Sequence, residues 1–140
     1  MITKDFLYDF ISAHRLAVLS TVAGNGQPQS AVVGIAVTPA LEVIFETQDN
    51  TRKFINIAGN CRVSLVIGWD NETTLQYEGI ATLVANDDTT SKELYYTAYP
   101  HGRQRAETWK GIVLMKVSPR WVRYSNFNEP QVINELSFPQ

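Results

Sequence analysis

The sequence holds one cysteine, Cys61, and two histidines, His14 and His101, in 140 residues. A single thiol excludes an intrachain disulfide framework, and so small a Cys and His set excludes an ordinary closed zinc site. No metal is expected, and the compartment expected is a reducing one. Long apolar runs are absent too: none nears the ~20 residues of a membrane-spanning helix. Lys4, Asp5 and Asp9 interrupt the stretch where a signal peptide would be continuously apolar. The expectation is a cytoplasmic protein with no membrane partner. There is no excess of charge of one sign, since 12 Lys+Arg stand against 14 Asp+Glu for a net charge of -2. A dedicated nucleic-acid binder would be strongly basic. Six cations (Arg103, Arg105, Lys110, Lys116, Arg120, Arg123) do fall between positions 103 and 123 beside Trp121 and Tyr124, a mixture that suits single strands. The overall acidity argues against that use, and no nucleic-acid partner is expected.

What is present is a globular composition, 44% hydrophobic and 11% aromatic. A chain of this length buries roughly two thirds of its unfolded surface, enough for one domain over residues 1–140. Thr3 is placed to cap a helix in which Phe6, Leu7, Phe10 and Ile11 recur at helical steps, ending near His14. LAVLSTV and QSAVVGIAV flank the turn sequence GNGQP and predict a β-hairpin. After the break Thr38-Pro39-Ala40, LEVIFET predicts a third strand buried on both faces. TRKFINIAGN predicts a short helix with Phe54, Ile57 and Ala58 on one face. RVSLVIGWD and TLQYEGIATLVAN are the fourth and fifth strands, with Gly79 marking a bulge or bend. Asp87 or Asp88 caps a helix through Leu94, Tyr95 and Ala98 that ends before Pro100. GIVLMKVS and RWVRY supply one or two last strands around Pro119. Six or so strands in hairpin order without βαβ alternation predict a mainly β, antiparallel barrel, with an open α+β sheet as the alternative.

The most informative stretch is VIFETQDNTRKFINI. A buried strand stops, a polar loop turns, and Arg52 and Lys53 enter the first turn of a helix whose leading amides have no helical partner. Cations there oppose the macrodipole, and an anion would resolve the conflict. A phosphate could accept from the amides, from the Thr47 or Thr51 hydroxyl, from the forked guanidinium and from the ammonium. The plain alternative is that both side chains extend into water.

That stretch sits between LSTVAGNGQPQSAVVGIAV and NCRVSLVI, with LQYEGIATLV beyond. Together these segments resemble the FMN-binding split barrel of the pyridoxamine 5'-phosphate oxidase-like family over about residues 5–124. Thr-Arg-Lys after strand three, followed by the Arg-Val-Ser strand, is the most specific element. The resemblance implies a six-stranded antiparallel split β-barrel of Greek-key type with short flanking helices. It also implies FMN as cofactor and a homodimer with the cofactor sites at the subunit interface. Arg52 and Lys53 would hold the phosphate, with Thr47 and Thr51 as hydroxyl partners. The strand carrying Ser30, Ala31, Val32 and Val33 would offer backbone groups and apolar packing to the ring. Gln76 would present an amide, from the same or the opposite subunit, and Trp109 an aromatic from the partner. Glu46 would face the cofactor with its backbone, because its carboxylate would repel the phosphate.

Authentic pyridoxamine phosphate oxidases carry an Arg- and His-containing motif after their last strand. Here RYSNFNEPQVINELSFPQ holds no histidine and no arginine beyond Arg123. The resemblance therefore implies an oxidoreductase of another small-molecule specificity, with a nicotinamide as donor. The alternative is a non-catalytic protein that stores or senses with flavin, deazaflavin or haem. No side chain stands out as a catalytic acid or base. His101 is expected in a functionless loop, Cys61 as a small hydrophobe, and Trp69 and Trp121 as core or interface residues.

Overall fold

The computed structural model describes residues 2–139. Thr3 caps α1 (Lys4–Ser12) by accepting from the Phe6 amide at 3.1 Å, and Leu7 and Ile11, one turn apart, form the buried stripe. β1 (Leu16–Val22), β2 (Pro28–Val37) and β3 (Val43–Gln48) then run as an antiparallel meander. α2 (Arg52–Gly59) leads into β4 (Arg62–Ile67), which returns to pair with β1 and gives the Greek-key order 3-2-1-4. β5 (Thr73–Leu83) and β6 (Ile112–Asn126) continue the sheet, and β6 closes on β3. The six strands form a closed antiparallel barrel, the fold class expected from the sequence.

Strand alternation decides what lies inside. Val43 and Phe45 fill the barrel with Leu19, Leu65, Leu75 and Val117, while Ile44 turns outward to a second cluster with Ala36, Tyr95 and Leu114. β3 is thus buried on both faces, as its composition predicts. Tyr77 is wholly buried but satisfied, its hydroxyl donating to the Leu41 and Val117 carbonyls at 2.7 and 3.0 Å. Burial pushes its phenol well above the ordinary tyrosine range. The β5–β6 register shifts between Glu78 and Gly79, where a Cβ on Gly79 would collide with the Ser118 carbonyl. Only glycine fits that approach.

The structure departs from expectation at several points. α3 (Thr89–Ala98), capped by Asp88, ends before Pro100 as predicted, but a further helix, α4 (Pro100–Thr108), starts at once. His101 is therefore helical. Pro100 at the first position suits a helix start, whereas the run PHGRQRAET has no apolar stripe to announce a helix. β6 is one continuous strand through Pro119, within the one or two expected, but the C-terminal segment adds an unexpected seventh strand, β7 (Val132–Ser137), paired with β6. One edge of β6 is consequently shared, residues 112–117 pairing with β3 and 121–126 with β7. On α2 the buried pair is Asn56 and Ile57, while Ala58 is exposed. Cys61 and Trp69 are exposed rather than packed.

Candidate functional site

The barrel is split between β2 and β3. These strands pair only from Ile35 to Val37 against Phe45 to Val43, so residues 28–34 of β2 have β1 on one side and no strand on the other. The Ile35 amide donates to the Arg15 carbonyl and the Ala23 amide to the Gln27 carbonyl, each at 2.9 Å. Antiparallel alternation between those two bonds turns the backbone groups of Gln29, Ala31 and Val33 toward β1. The N–H and C=O of Ser30 and Val32 are left at the open edge.

α2 stands at one end of this split. Leu19, Thr21, Gln29, Ser30, Ala31, Thr51, Arg52 and Lys53 line an open cleft of about 550 Å³. Thr51 is the N-cap: its hydroxyl accepts from the Phe54 amide at 3.3 Å and donates to the Gln48 carbonyl at 2.9 Å. The Thr47 hydroxyl, buried 2.8 Å away, then donates to Thr51. The two hydroxyls thus shape the loop and spend their protons within it. The Ile55 amide bonds the Thr51 carbonyl, and among the described residues the Arg52 and Lys53 amides have no acceptor. No carboxylate pairs with either side chain among those residues. Asp49, the nearest acid in sequence, packs against Gly111, whose φ of 77 and lack of a Cβ make room for it. Arg52 and Lys53, with two amides that lack acceptors, thus stand on a cleft lining that holds no carboxylate among the described residues.

Three residues that sequence reasoning passed over complete this end. The Gln29 carboxamide, with its oxygen toward Arg52, accepts from Nε at 2.7 Å and also contacts Nη2. Asn56, 8% exposed, lies 2.7 Å from the same carboxamide and donates to the Thr21 hydroxyl at 3.0 Å. The signal was available. Counting by two from Leu19 puts Thr21 inside the barrel opposite Gln29, and Asn56 is one helical turn from Arg52.

The remaining predicted residues lie elsewhere. Val33 is buried inside the barrel, whereas Val32 points outward and is 62% exposed. Gln76 is exposed on the outer face, in a row with Val66, Val18 and Val32 across four strands. Trp109, 55% exposed, ends α4 with the Arg105 guanidinium 6.0 Å from its ring, and the next carbonyl, that of Lys110, accepts from Gln48 Nε2 at 3.1 Å. It therefore stands beside the cation loop but outside the cleft lining.

Glu46 faces away from the cleft, where Arg105 Nε donates to its carboxylate at 2.8 Å. That bond raises the Arg105 pKa, and burial near the Glu46 charge raises those of Tyr95 and Tyr96. The basic stretch is largely neutralised in the same way. Arg103 pairs with Glu93, Lys116 with Asp88 and Arg123 with Glu135, and Glu135 also accepts from Trp121 Nε1 at 2.7 Å. Cations already paired within the chain make a poor nucleic-acid surface.

The family model described as pyridoxamine 5'-phosphate oxidase matches residues 3–126. No curated protein matches. Among solved structures, the haem-binding protein of Mycobacterium smegmatis is similar at 14% identity with a TM-score of 0.81, over 98% of this chain and 59% of that one. This chain thus spans under two thirds of that relative. The haem storage protein HutZ of Vibrio cholerae is similar at 14% identity and TM-score 0.69, over 86% and 92% of the two chains. A pyridoxamine 5'-phosphate oxidase-related, FMN-binding protein of Nostoc punctiforme is similar at 15% identity and TM-score 0.62, over 90% and 87%. These likenesses are of fold. Among the described residues no helix is long and apolar enough to cross a membrane.

Proposed function

The chain belongs to the pyridoxamine 5'-phosphate oxidase family, and from that premise we propose that it is an FMN-binding flavoprotein acting as a cytoplasmic homodimer, an oxidoreductase fed by a nicotinamide. The observation that carries this reading is the pair of uncompensated cations, Arg52 and Lys53, with their free amides at the end of an open strand edge. The donor set fits a phosphate monoester: a planar fork, a point charge and two N–H groups at a helix N-terminus. The cleft volume falls within the ~300–1,000 Å³ usual for small-molecule sites.

In this reading Arg52, Lys53 and their amides hold the phosphate. Thr51 and Thr47 hold the loop that presents them. Ser30 and Val32 meet the polar rim of the ring with backbone groups, and Ala31 and Val33 back that strand from inside. Glu46 lends only its backbone to the site. The isoalloxazine, when bound, supplies the two-electron chemistry, and the chain supplies position, exclusion of water and charge.

Gln76 faces outward, so it reaches such a site only from a second copy. The outward-facing row Val32, Val18, Val66 and Gln76 offers an apolar surface for that copy, which would bring Trp109 with it. The whole chain then serves as one FMN-binding domain, with a small-molecule substrate other than pyridoxamine phosphate. The sole arginine of the C-terminal segment, Arg123, is tied to Glu135 on β7.

A second reading, storage or sensing without turnover, is favoured by the lining itself. It offers hydroxyls, an amide and cations, groups that bind and orient. It is also favoured by the haem-binding and haem-storage proteins of the same fold. Stopped-flow reduction separates the two: an oxidoreductase with FMN bound is bleached by NADH or NADPH, while a store or sensor stays yellow with both.

A further inference from the structure

We propose that Gln29 is a positioning residue of the phosphate site, a neutral carboxamide that aims the Arg52 guanidinium without cancelling its charge. The inference rests on the FMN reading and adds to it a residue on a different element. Arg52 begins a helix, and a long side chain there has several rotamers open to it. In the structure it is not left to water. The Gln29 oxygen, projecting from β2, takes its Nε at 2.7 Å and lies 3.1 Å from Nη1. The nitrogen end of the same carboxamide faces the Asn56 side chain 2.7 Å away, and Asn56 reaches Thr21 on β1. Thr21 is 2% exposed and Asn56 8% exposed, so the chain of contacts ends on fixed, buried groups. It ties the first turn of α2 to the hairpin that carries the open edge.

The choice of amide has a physical consequence. A carboxylate at position 29 would hold the guanidinium more strongly but neutralise it, as Glu46 does for Arg105 across the strand. An aliphatic residue would leave the charge and lose the aim. Glutamine keeps both, and the site retains the two full charges that its free amides reinforce.

The test compares FMN with riboflavin, which has the same ring and no phosphate, by fluorescence titration of wild type, Gln29→Glu and Gln29→Ala, together with melting of the flavin-free proteins. The expected result for Gln29→Glu is FMN binding weakened about tenfold and riboflavin binding changed by less than about twofold, with the flavin-free melting temperature raised. Gln29→Ala weakens FMN about threefold and lowers the melting temperature. A merely structural glutamine would move both ligands together in either variant, and would make Gln29→Glu lose stability along with affinity, which overturns the proposal. If wild type binds FMN no better than riboflavin, the phosphate reading itself fails. If it prefers FMN and both variants keep that preference, only the role of Gln29 fails.

Discussion

Glu46 and Thr47 are neighbours on one strand and open onto two differently charged regions. On the Glu46 side charges are matched: Glu46 with Arg105, Glu93 with Arg103, Asp88 with Lys116. These pairs fasten α3 and α4 to the barrel and to each other. On the Thr47 side Arg52 and Lys53 face a cleft with no carboxylate among the described residues, beside amides that also lack acceptors. Matched charges hold structure, whereas in the proposed function the unmatched ones are held for a phosphate. The same residue types, one strand face apart, thus have different uses, and substitutions on the two sides should fail differently.

The largest expected effect lies on the unmatched side. Arg52→Glu with Lys53→Glu should weaken FMN binding at least about 100-fold, about 3 kcal/mol, while the melting temperature holds or rises because like-charge crowding at the helix start is relieved. Fluorescence titration and thermal melts on one preparation check both halves. On the matched side the order reverses. Glu46→Ala leaves Arg105 half-buried and alone, which should cost about 2 kcal/mol, less than the ~3–5 of a fully buried pair. Calorimetry should show a fall of about 5 °C with a much smaller change in FMN affinity.

Thr51→Ala sharpens the contrast at its border. Loss of the cap should cost about 1 kcal/mol in urea unfolding, and FMN affinity should fall with it because the loop that presents the cations loosens. The smallest effect is one of pH. The hydrogen bond from Lys116, with those from Ser91, holds the Asp88 carboxyl down to about 2 from 3.8. A lowered carboxyl stabilises above its unfolded pKa, so this contribution is complete above about pH 5 and is lost as the pH falls through 3.8 toward 2. Acid titration by circular dichroism should find Asp88→Asn flatter in that window than wild type.

Much of this was legible because several signals agreed. Thr3, Asp88 and Thr51 are cap residues at the head of the periodic runs they start, and the strands are branched runs between turn residues. Arg52 and Lys53 stood out by opposing a dipole. What escaped notice lacked a local signal. α4 has no apolar stripe and is held by Glu46, a residue more than fifty positions away. β7 is mostly exposed and owes its place to pairing with β6. Asn56 took the buried place expected of Ala58 because Thr21 and Gln29, distant in sequence, meet it there. Cys61 lies between α2 and β4 with its side chain in water, its carbonyl taking the Ala81 amide.

The central claim is that the unmatched cations hold a phosphorylated flavin in a site completed by two chains. Native mass spectrometry of the protein mixed with FMN tests it most directly. The expected result is a dimer carrying two FMN, and a flavin-free species when Arg52 and Lys53 are both glutamate. A monomer, or a dimer that takes up no flavin while Arg52 and Lys53 are intact, would contradict it.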